Sequence, residues 1–153
     1  MIVYRLASSA YKDDLTGTGA KLYGGRWNSI GFPALYCTQN LSLAVLEILV
    51  RTGINILPPE YSVIKLDIPE KVTVQKILNS KLKPGWKTDI ESTQWMGTEF
   101  LRNAKNAVLE IPSAIVDVEF NFLINPIHTD FKKIKLISAE KFEFDKRLFL
   151  RNE

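Results

Sequence analysis

Short runs of strand-forming residues, set off by proline, glycine and asparagine, recur along this chain, and only two segments have helical character. Strand signals fall at Ile2 to Leu6, Ala34 to Thr38, Tyr61 to Asp67, Val72 to Ile77, Ala107 to Ile111, Val118 to Ile124, Ile134 to Ser138 and Lys141 to Phe144. Helices are expected from Asn40, a good N-cap, to the stop at Gly53, and from Ile90 to Asn103. The first of these is apolar on nearly every side and is therefore expected to be buried. Residues 12 to 25 are polar and glycine-rich and read as a loop. Many short strands with few helices predict an α+β domain on mixed or antiparallel sheets. With no repeat, low-complexity tract or linker, the 153 residues are read as one domain, 1–153.

Within this pattern the stretch from Gly24 to Glu47 carries the most chemistry. Arg26 follows two glycines, where the backbone can turn sharply and admit a ligand. Glu47 is the only charge among seven apolar residues from Leu43 to Val50. A carboxylate in that setting is costly to bury unless something pairs with it. Arginine on a tight loop and a lone acid on an apolar helix make a candidate ligand-binding pair.

Composition narrows the function classes. Hydrophobic residues at 46% and charged residues at 24% exclude a disordered chain, and a net charge of +3 is too small to argue for nucleic acid. No apolar run reaches the roughly 18 residues of a membrane helix, and the N-terminus lacks signal-peptide character. A single cysteine, Cys37, makes a reducing cytoplasm the expected compartment, and one His with one Cys offers no zinc ligand set. Gly17-x-Gly19 is not a dinucleotide fingerprint, because position 22 is Leu and no strand leads directly into it.

Several motifs recur in one order: Tyr4-Arg5, Gly24-Gly25-Arg26-Trp27-Asn28, Tyr36, and Leu43-Ala44-x-x-Glu47. After them come Ile111-Pro112-Ser113, Asn121-x-x-x-Asn125-Pro126-x-His128 and Phe144-Asp145-x-Arg147-Leu148. This series resembles the RES domain family, named for its Arg, Glu and Ser positions, over nearly the whole chain. Phe100 stands where the family often has Trp, and Lys146 where it has Pro. The resemblance implies a fold related to ADP-ribosyltransferase toxins and a toxin role in a bacterial toxin–antitoxin pair. It implies NAD as substrate rather than cofactor, degraded by phosphorolysis or hydrolysis with growth arrest as the outcome; protein mono-ADP-ribosylation is the alternative. It also implies an Xre-type antitoxin that covers the site, in a homodimer or a larger assembly.

Cleaving the nicotinamide–ribose bond passes through an oxocarbenium-like state. Under the resemblance, Arg26, with Arg5, would hold the phosphates or the adjacent ribose through a planar, permanently charged fork. Glu47 would accept a ribose hydroxyl and oppose the developing cation. Tyr36 would stack on the cationic nicotinamide ring. Ser113 would bond the ribose or a phosphate, with Asn121 and His128 as lesser contacts. Taken without the resemblance, each residue has a duller reading. Arg26 is then a structural arginine, Glu47 a helix salt bridge to Arg51, Tyr36 core, Ser113 solvent-facing and His128 a loop hydrogen bonder. Trp27 reads as packing behind the loop, Cys37 as a small buried residue, and the basic stretch from Lys132 to Arg151 as a solvated face.

Overall fold

The computed structural model describes residues 1–53 and 60–149. Its elements are β1 (Ile2–Ser8), α1 (Thr18–Tyr23), β2 (Leu35–Thr38), α2 (Leu41–Thr52), β3 (Tyr61–Asp67), β4 (Val74–Lys76), α3 (Ile90–Asn103), β5 (Val108–Pro112), β6 (Phe120–Ile124) and β7 (Lys135–Phe142). The strands form a mixed sheet of order β4-β5-β6-β2-β1-β3-β7. Only β4 and β5 run parallel among them; every other neighbour is antiparallel. This is the α+β architecture that the strand spacing predicts.

Alternation along the strands sorts side chains onto two faces. On one, Val3, Leu35, Cys37, Ile64, Leu66, Val108, Phe122 and Ile124 form a continuous core across the width of the sheet. The other face is divided. There α3 covers β5 and β6 through Phe100, Leu101, Leu109, Ile111 and Leu123, joined by Trp27 and Trp86. A separate cluster of Leu6, Ala44, Ile48 and Tyr61 seats α2 on β1 and β3. The division falls where β1 meets β2, two strands that share one paired position, Tyr4 opposite Thr38.

Three sequence readings are corrected. The loop of residues 12 to 25 contains the short helix α1, which ends at Gly24 in the left-handed region (φ 69°). The strands expected at 134–138 and 141–144 are one strand, β7. Ala139 and Glu140 have weak strand propensity, but pairing with Ile64 and Val63 holds them in the ladder. A register shift beside Lys65 and Leu66 accommodates the extra residue. Finally, α2 is not buried all round. Leu43, Ala44 and Ile48 face the sheet, whereas Leu46 and Val50 are exposed, because the helix lies on one face of the sheet with nothing packed behind it among the described residues. The second helix spans the predicted residues, started by Asp89, whose carboxylate accepts from Ser92 N.

Candidate functional site

Gly25 and Asn28 face one another across a tight turn, so Arg26 and Trp27 are its corner residues. Gly25 N donates to Asn28 O at 2.9 Å, closing the turn. The two glycines before Arg26 serve different needs. Gly24 supplies the positive φ, while a Cβ on Gly25 would come within 2.6 Å of the Tyr36 hydroxyl. That hydroxyl accepts from Trp27 N at 3.0 Å and donates to Asn28 Oδ1 at 2.7 Å. Burial pushes the Tyr36 phenol well above its ordinary pKa, so it remains protonated and keeps donating. Asn28, fully buried, donates to Ala20 O and Phe32 O and ties the turn to α1.

Helix α3 holds the same turn from behind. Thr93 Oγ1 donates to Arg26 O at 3.0 Å, and Gln94 Nε2 donates to both Gly25 O and Asn28 O at 3.0 and 3.1 Å. Ser29 N donates to Thr98 Oγ1 at 2.9 Å. Gly97 lets the helix touch the turn, since a Cβ there would lie 1.9 Å from Trp27 O. The sequence reading missed Thr93, Gln94, Gly97 and Thr98. Their signal was a stripe of small and polar residues on the helix face that otherwise carries core residues.

Glu47 does not pair with Arg51 among the described ion pairs. Its Oε1 accepts instead from Asn121 Nδ2 at 2.7 Å. Asn121 stands opposite Thr38 on β2, and Thr38 is two residues from Tyr36 on the same face, roughly 7 Å along the strand. The Arg26 turn and Glu47 are thus attached to neighbouring positions of one sheet face, at the gap between the α3 and α2 cores. Arg5 occupies a strand position of the opposite face, between Val3 and Ala7. It reaches the β1–β2 join, where Nη1 donates to Tyr36 O at 3.4 Å. Burial lowers the Arg5 pKa, an effect opposed first by Cys37 and then by Asp14.

Ser113 lies just past β5 at the Asn121 end of the sheet, but its Oγ already accepts from Ile115 N and Val116 N, both at 3.0 Å. His128 lies beyond the other end of β6. There it caps a 3₁₀ turn, with Nδ1 accepting from Asp130 N. The structure therefore brings Arg26, Tyr36, Glu47 and Asn121 to one face, with Arg5 at the seam and Ser113 at its end. It sets His128 apart.

Four buried side-chain polar atoms lack a hydrogen-bond partner among the described residues: Arg5 Nε, Arg26 Nη1, Asn121 Oδ1 and Glu119 Oε2. An occluded polar atom without a partner typically costs about 1–3 kcal/mol, so buried groups seldom stay single without a reason. Three of these four belong to residues singled out from the sequence as substrate contacts.

Comparison with known proteins identifies the family and the fold. The chain is 41% identical to "Toxin Res" of Photorhabdus laumondii, covering 97% of each protein. It is 34% identical to "Prs ADP-ribosylating toxin" of a Sphingobium species, over 95% of this chain and 94% of that protein. In fold it is similar to a chain in the crystal structure of the M. tuberculosis MbcT–MbcA toxin–antitoxin complex. There the TM-score is 0.71 at 19% identity, over 92% of this chain and 83% of that one. The RES domain model matches residues 2–145, and the chain belongs to the RES domain family.

Proposed function

We propose that this protein is the toxin of a toxin–antitoxin pair and that it cleaves the nicotinamide–ribosyl bond of NAD. The observation that carries the reading is the set of partnerless buried atoms. Two are guanidinium donors, on Arg5 and Arg26, and they suit the oxygens of a pyrophosphate. Asn121 Oδ1 is an acceptor beside Glu47 and suits a ribose hydroxyl. A dinucleotide carries both complements in one molecule. In the reaction the C–N glycosidic bond breaks and nicotinamide leaves neutral with the bonding pair. An acceptor oxygen then bonds the anomeric carbon and gives up its proton. Glu47, held by Asn121, opposes the positive charge at that carbon, and the phosphate or water that completes the reaction approaches its open face.

The test is nicotinamide release from NAD by purified protein, with and without phosphate. Arg26→Ala and Glu47→Ala are each expected to lose roughly 100- to 1,000-fold in turnover while remaining folded. Unchanged turnover in both would remove the site assignment, and no release under either condition would remove the activity. Similarity to a protein named as an ADP-ribosylating toxin supports a second reading, transfer of ADP-ribose to a protein side chain. Label from adenine-labelled NAD would then appear on protein rather than in a small soluble product. The antitoxin proposed to silence the site is of the Xre type. Co-expression of the adjacent reading frame should relieve growth arrest.

A further inference from the structure

Glu119 belongs to no motif singled out from the sequence, yet it holds the fourth partnerless buried atom, Oε2. It lies in the turn between β5 and β6. Its backbone is fully used there: Glu119 N donates to Val116 O at 3.1 Å, and Glu119 O accepts from Ser113 N at 3.0 Å. The second bond extends the β5–β6 ladder one step beyond Pro112 and Phe120, setting Ser113 opposite Glu119. Strand alternation then puts Glu119 on the face of Asn121, roughly 7 Å from it. None of the described ion pairs includes Glu119, and neither backbone bond needs its side chain.

We infer that Glu119 is a substrate-binding residue that accepts a hydroxyl of the ribose next to the scissile bond; the inference rests on the NAD-cleaving reading above. The chemistry is selective. Glu119 Oε2 and Asn121 Oδ1 are both acceptors, so a ligand between them must offer donors, and a sugar hydroxyl does so without charge. The substrate's own pyrophosphate is disfavoured at this end of the site, because a carboxylate repels it. The anionic centre of the substrate lies instead with the guanidinium groups of Arg5 and Arg26. The two ends of the gap thereby give the dinucleotide a direction: diol toward the β5–β6 turn, phosphates toward the Arg26 turn.

Two probes isolate the contact, ADP-ribose and ADP, which differ by the ribose in question. Calorimetric titration of the full chain is expected to show Glu119→Ala binding ADP-ribose at least about tenfold more weakly than wild type, as for a hydrogen bond to a charged group. ADP affinity should be unchanged. Glu119→Gln keeps the shape and an acceptor oxygen, and its affinity for ADP-ribose should fall between the two. Equal weakening of both probes would mark a merely structural role and overturn the inference. So would unchanged affinity of both variants for ADP-ribose, while wild-type binding and turnover would leave the NAD reading intact. A wild-type protein that binds neither probe would remove that reading and Glu119's role with it.

Discussion

Arg5 and Cys37 show how much one side chain's meaning depends on its neighbours. The sequence places both on strands and reads Cys37 as a small buried residue, which it is. What only the structure adds is that they lie close enough for the guanidinium to pull on the thiol. Burial dominates, and the Cys37 pKa is pushed up to about 12. The unfolded thiol titrates near 8.5. Its folded pKa lies above the unfolded one, so the unfolded chain binds fewer protons as pH rises past about 8.5, and stability falls from there toward 12. The urea midpoint should therefore drop with pH in this window, less steeply in Cys37→Ala, and a disulfide reagent should label Cys37 only after unfolding. At this scale Arg26 and Glu47 were legible because a charge stood out against glycine or against apolar neighbours. Glu119 was not, since an acid in a turn is ordinary until its oxygen is found buried and unpaired.

Among the elements, α3 reaches furthest beyond what its sequence advertises. Its boundaries, Ile90 and Asn103, were readable from the sequence. Its purpose was not, because the bond from Thr93 to Arg26 O joins residues 67 apart in the chain, and propensity carries no information about such contacts. The clamp predicts two outcomes. Gly97→Ala drives a methyl group into Trp27 O and should cost roughly 1–3 kcal/mol in a denaturation titration, as overpacking does. Gln94→Ala should lower NAD turnover by loosening the Arg26 turn, yet add almost nothing in the Arg26→Ala background, since it acts through that arginine. Additive losses in the double variant would show that Gln94 works elsewhere. Helix α2 is the simpler case: its buried stripe seats it on β1 and β3, and its one acid, Glu47, turns toward Asn121 on β6.

Across the whole molecule, the mixed class and the place of most strands were within reach of the sequence, whose eight strand signals became seven strands, but the strand order was not. Order depends on which distant edges meet, and β2 lies between β6 and β1 although most of the chain separates it from the former. The divided face follows from that order. Two helices back two groups of strands, and the polar residues gather in the gap between them. The join at Tyr4 and Thr38 also makes a crease in the backbone ladder, stitched on one side by the continuous core and by Arg5, and on the other left between the α3 and α2 clusters. Amide hydrogens of Cys37 and Thr38 should exchange sooner than those along the long β1–β3 pairing, and added ADP-ribose should slow them selectively. Under the proposed reading, a crease that nucleotide pins shut would give the same few residues charge of both catalysis and cohesion, so thermal resistance would rise and fall with the cell's supply of nucleotide.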